Sequence, residues 1–140
     1  MAIDTATERN RALAYGLGAV YLLVGAVGFA ITGGTGFAST HGEHLLGIFE
    51  VNPLHNVVHL LVGALLVLAA RNGERAAASV NTLVGAVYLA VGVLGLVVGD
   101  SDLNILALNP ADHVLHFGSA IVLLAVGLSG NRRRVALDGR

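Results

Sequence analysis

Four stretches of this chain contain no Asp, Glu, Lys or Arg: Ala12 to Ile31, Leu54 to Ala70, Ala76 to Gly99, and His113 to Gly130. Each is near the length at which a helix, rising about 1.5 Å per residue, crosses a hydrocarbon layer of roughly 30 Å. Within them the apolar residues run on without a regular polar stripe, so no water-facing side is marked. A backbone in hydrocarbon must satisfy its own N–H and C=O groups, which restricts it to helices or closed barrels. Barrel strands would alternate polar and apolar residues in segments of about ten, and no such segment is present. The sequence therefore predicts an all-α fold, a four-helix transmembrane bundle in contact with the lipid bilayer. Composition agrees: with 55% hydrophobic and only 12% charged residues, 140 residues carry too little charge to cover a soluble domain.

The first run follows Arg9 and Arg11 and precedes the small residues around Gly36 to Ser39, as a signal peptide would. It is longer than a usual signal core and has a counterpart later in the chain, so it reads as a mature helix. There is no cysteine, which excludes disulfides, thiolate metal sites and iron–sulfur clusters.

Charge is segregated. All eight basic residues are arginines: Arg9, Arg11, Arg71, Arg75, Arg132 to Arg134, and Arg140. They fall at the two termini and between the second and third runs. The other two connections carry Glu43, Glu50, Asp100, Asp102 and Asp112 and no basic residue. The positive-inside rule then places the N- and C-termini in the cytoplasm and the acidic connections outside.

The chain also repeats itself. Gly18-Ala19-Val20-Tyr21-Leu22 reappears as Gly85-Ala86-Val87-Tyr88-Leu89, followed by Gly25 and Gly92, then Gly28 and Gly95. Asn52-Pro53 opens the second run with His59 six residues beyond the proline, and Asn109-Pro110 opens the fourth with His116 at the same distance. One membrane domain of two tandem, same-orientation helical hairpins follows, about 12–70 and 76–130, with a cytoplasmic tail at 131–140. Two spans per repeat give a pseudo-twofold axis along the membrane normal rather than an inverted repeat. Positions 18, 21, 25 and 28, like 85, 88, 92 and 95, share one helix stripe. Small residues there let backbones approach where water supplies no drive for helix association. Gly18, Gly25, Gly85 and Gly92 are thus structural expectations, as are Tyr21 and Tyr88 filling gaps between helices. Asn52 and Asn109 suit the N-cap, and Pro53 and Pro110 the first helical position.

The polar residues after each Asn-Pro are harder to explain by helix starting alone. His59 and His116 lie roughly 9 Å down their helices. His55 and His59 are four apart and His113 and His116 three apart, so each pair shares a helix face. Asp112 occupies the repeat position of His55. Several readings stay open. His55, His59, Asp112, His113 and His116 suit a transition-metal site. His59 and His116 suit the axial positions of a haem between the repeats. Ionisable groups in a span also mark ion or proton handling. Finally, the cluster can simply satisfy amides at helix starts and brace the outer end of the bundle. His41 and His44, beside Glu43, read as solvated loop residues.

The motif set resembles a bacterial family of small four-span membrane proteins, common in actinobacteria, of unknown function. The resemblance rests on Gly18-x-x-Tyr21-x-x-x-Gly25, on Asn52-Pro53-x-His55-Asn56-x-x-His59, and on Asn109-Pro110-x-Asp112-His113-x-x-His116. It implies the fold and a place in the bacterial cytoplasmic membrane, and supplies no activity. No phosphate loop, dinucleotide fingerprint, partnered nucleophile or nucleic-acid patch is present. The expectation is a non-enzymatic structural or accessory subunit, as a homo-oligomer or within a larger membrane complex. Haem or metal binding and ion handling are the alternatives.

Overall fold

The computed structural model describes residues 5–138, and side chains over residues 8–130. The elements run α1 (Thr5–Ile31), β1 (Glu43–Leu45), β2 (Phe49–Val51), α2 (Pro53–Arg71), α3 (Glu74–Val98) and α4 (Pro110–Asp138). All four helices are long and apolar enough to cross a membrane, over Glu8–Ile31, Pro53–Arg71, Glu74–Val98 and Pro110–Gly130. The fold is the all-α bundle expected. α4 runs on to Asp138, so most of the segment read as a tail continues the helix. The side chains of Arg132 to Arg134, and Arg140 altogether, lie outside the described residues.

Each helix buries one narrow stripe. In α1 the buried positions are 10, 14, 18, 21, 25 and 28 among those described, and in α2 they include 55, 59, 63, 66 and 70. Steps of three and four are the signature of helices packed side by side with a slight left-handed twist. The outward faces are apolar, with Leu23, Leu61, Leu94 and Ile121 more than half exposed, as lipid contact requires.

α1 packs along α2, and α3 along α4, far more closely than any other pair. The small residues of the stripe make this possible. Gly18 and Gly25 face α2, and Gly85 and Gly92 face α4. A Cβ on Gly18 would sit 3.0 Å from the Gly63 carbonyl, and one on Gly63 would sit 2.8 Å from the Gly18 carbonyl. The two backbones touch, so each glycine is there for the other. Between the hairpins, Tyr21 of α1 meets Tyr88 of α3 edge to face, with ring centroids 5.3 Å apart. Ala14, Leu66, Val84 and Leu123 continue this core toward the end that carries the termini. At that end Asn81 donates to Asn10 Oδ1 at 3.0 Å, and Asn10 donates to Glu74 at 2.9 Å.

The opposite end is held by the two Asn-Pro sites. Asn52 caps α2, its Oδ1 accepting the His55 N–H at 2.8 Å, and Asn109 Oδ1 accepts the Asp112 N–H at 3.0 Å. Their amide nitrogens do something the cap does not need. Asn52 Nδ2 donates to the Ile105 carbonyl at 2.7 Å, in the connection of the other hairpin. Asn109 Nδ2 donates to the Ile48 carbonyl at 2.8 Å, in the connection of the first. Ile48 and Ile105 are 57 residues apart, as are Asn52 and Asn109. Donors and acceptors are exchanged between matching positions, as a pseudo-twofold relation demands.

Sequence reading treats residues 32–51 as loop. Within it the structure forms an antiparallel hairpin pairing Glu43 with Val51 and Leu45 with Phe49. Its turn takes left-handed φ values at Leu46 (54°) and Gly47 (76°), and Ile48 N–H closes it onto the Leu45 carbonyl at 3.2 Å. A strand pair this short has no independent stability, so it depends on what it covers.

Replacing Asn52 by Asp keeps an oxygen for the cap and removes both Nδ2 bonds, one to Ile105 and one to Ser39. The loss is expected to be about 1–3 kcal/mol, read as a lower unfolding midpoint in detergent. An unchanged midpoint would mean the crossed bonds contribute nothing beyond the cap.

Candidate metal centre

His55 and His59 are one turn apart on the buried face of α2, with ring centroids 4.4 Å apart. His116 reaches them from α4, its ring 5.8 Å from that of His55. The three residues are 1%, 2% and 3% exposed. One nitrogen from each lies within 4.8 Å of the other two. Three atoms so placed all lie within about 2.8 Å of some common point, against about 2.0–2.1 Å for a zinc–imidazole bond.

The polar chemistry of these rings is unmet. Both nitrogens of His55, both of His59 and Nδ1 of His116 are buried without a hydrogen-bond partner. A buried donor or acceptor left unpaired costs about 1–3 kcal/mol, and five are gathered at one point. The backbone carbonyls of Glu50 and Leu106 come near the His55 ring, though not in hydrogen-bonding geometry.

Two tyrosines form the floor. Tyr21 packs on His59 with centroids 5.4 Å apart, and Tyr88 on His116 at 5.2 Å. Tyr21 donates to Ser119 Oγ at 2.6 Å, tying α1 to α4 directly below the cluster. Ser119 was not singled out from the sequence. Its signal was there, three residues beyond His116 and on the same face of α4. A cavity of about 150 Å³ adjoins the cluster, lined by His59 and Asp112, by Val20 and Val24 of α1, and by the β-hairpin.

The other polar residues go elsewhere. Asp112 is buried at 2% exposure and lies outside the group of three imidazoles. Its Oδ2 accepts the Asn109 N–H at 2.9 Å, completing a reciprocal capping box, and the Glu50 N–H of β2 at 3.2 Å. His113 points away from the imidazoles, onto Gly95 of α3, where a Cβ would lie 2.5 Å from its Cε1. Asn56, the matching residue of the first repeat, lies over Gly28 of α1 and donates to Thr32 at 3.0 Å. The last glycine of each stripe thus makes room for a polar side chain of its partner helix. His41 and His44 are exposed.

The family model described as a domain of unknown function (DUF4383) matches residues 11–129. The chain belongs to this family. The DUF4383 match takes in His55, His59 and His116 and reaches into all four helices, consistent with the resemblance read from the motifs. No curated protein and no solved structure matches the chain.

If the imidazoles serve a ligand, they weaken the empty protein. His59→Leu removes two unpaired nitrogens while keeping most of the volume, so metal-free protein should unfold at an equal or higher midpoint, by up to about 2 kcal/mol. A brace for the bundle would instead lose stability on the same change, and thermal unfolding in chelator separates the two.

Proposed function

We propose that this protein holds a transition-metal ion inside the bundle, bound by His55, His59 and His116. The observation that carries this reading is the convergence of three buried imidazoles, five of whose six nitrogens are buried without a hydrogen-bond partner. Imidazole sets of this kind suit zinc, copper, cobalt or iron. Bracing alone does not account for five buried imidazole nitrogens without a hydrogen bond. A haem between His59 and His116 is less favoured, because His55, Tyr21 and Tyr88 pack closely around the gap that a porphyrin would have to enter. A continuous ion path is also less favoured. Leu66, Val84 and Leu123, all at most 3% exposed, fill the core below the tyrosines.

The proposed setting is a bacterial cytoplasmic membrane with both termini inside, which the arginine distribution supports. The cluster then lies near the outer face. The same reading keeps one membrane domain of two repeated hairpins, non-enzymatic, whose apolar outer faces suit a second copy or a larger membrane complex.

Purified protein in detergent, stripped with chelator and titrated with Zn(II), should bind about one ion per chain, and His59→Ala and His116→Ala should each abolish binding. Wild type that retains no more zinc than the double variant would end the metal reading. A Soret band in freshly purified protein would replace it with haem. For the topology, reporter fusions should place the C-terminus in the cytoplasm; an exported C-terminus would reverse the orientation.

A further inference from the structure

Three neutral imidazoles leave a buried divalent ion with its full charge. Desolvating an uncompensated charge in an apolar bundle is prohibitive, so buried ions are paired with opposite charge. Among the described residues, Asp112 is the one buried carboxylate. We propose that Asp112 is the fourth ligand of the site and sets its preference for divalent ions, an inference that rests on the three-imidazole reading above.

Three observations converge on Asp112. First, it stands at the repeat position of His55, as His116 stands at that of His59, each pair being 57 residues apart. Positions 55, 59, 112 and 116 therefore surround the pseudo-twofold relation as two matched pairs, and three of the four already meet. Second, its two hydrogen bonds both fall on Oδ2. Among the described residues Oδ1 accepts none, so one oxygen holds the carboxylate in place and the other is left for a ligand. Carboxylates that bind metals are characteristically held this way by bonds behind them. Third, Asp112 and His59 line the same cavity beneath the β-hairpin. The surface of that cavity is almost wholly apolar, so the two side chains flank one space and an ion would have to draw their polar atoms toward it. Bound through Oδ1, it would join Asp112 to His55, His59 and His116 in a four-coordinate set typical of zinc or cobalt.

The choice of ion follows. A divalent ion leaves a net single positive charge once Asp112 is bound. Monovalent copper carries only that much charge with the imidazoles alone, so it needs the carboxylate least.

The test uses stripped wild type, Asp112→Asn and His59→Ala in detergent. Binding is followed by the visible absorption of Co(II), by Zn(II) competition and by Cu(I) titration. Asn keeps an oxygen for the Asn109 and Glu50 amides. Asp112→Asn should weaken Co(II) and Zn(II) by at least about 100-fold while changing Cu(I) by less than about tenfold. Equal Co(II) affinity in wild type and Asp112→Asn, with His59→Ala inactive, would overturn the role of Asp112 and leave the imidazole site standing. No binding by wild type would sink both. If Asp112→Asn does not fold, infrared difference spectra of wild type decide: Zn(II) should shift a carboxylate stretch, and a spectrum without that shift overturns the proposal.

Discussion

The starts of α2 and α4 govern everything at the polar end of this bundle. A helix begun one residue early would turn its buried face by about 100° and lower its histidines by about 1.5 Å. Asn52 and Asn109 prevent this twice over. Their carbonyl oxygens cap their own helices, and their amide nitrogens reach across to Ile105 and Ile48. Where each helix begins is thereby tied to where the other hairpin's connection lies. His59 and His116 sit at matched depth because the residues that start their helices are bonded into each other's loops.

That symmetric frame carries an asymmetric filling. His55 turns inward to the cluster, whereas Asp112, its counterpart, caps α4 and holds the Glu50 amide of β2. The longer connection of the first hairpin explains the difference. Only that connection folds into a β-hairpin, and only α4 has such a hairpin over its start. Asn56 and His113 differ in type yet share a role, each lying over the last glycine of the facing stripe. The residues between Asn-Pro and the deep histidine thus divide, by the face of the helix they occupy, between those packed over the facing glycine and those turned toward the imidazole cluster or the α4 cap.

Much of this was legible in the sequence. Uncharged runs of about 20 residues yield the four helices because hydrocarbon leaves the backbone no other choice. The Gly/Tyr stripe yields the close pairing of α1 with α2 and α3 with α4, because only small residues permit it. Two things were not legible. The β-hairpin rests on a left-handed turn at Leu46-Gly47 whose first residue is not a usual one for it; it forms because β2 is fastened to Asp112 from 62 residues away. The membership of the cluster was also hidden. Spacing places His113 and His116 on one face, but a face is broad, and which three imidazoles converge depends on how α4 is rotated against α2. Tyr21, Tyr88 and Ser119 set that rotation through contacts between helices remote in sequence.

The position of the seal bears on what such a site can do. Below the imidazoles the core is a ring contact between Tyr21 and Tyr88, then Leu66, Val84 and Leu123, with the Asn10–Asn81 pair far beyond at the other end. Among the described residues, the Tyr21–Ser119 bond and the buried Tyr88 hydroxyl mark the top of that interval, and the side chains named below them are apolar. An ion leaving toward the termini would have to shed every ligand in hydrocarbon, whereas the cavity under the β-hairpin touches His59 and Asp112 directly. An ion held as proposed would enter and depart by the same side. On the proposed metal reading, that is the behaviour of a binding or presenting site rather than of a path through the bundle.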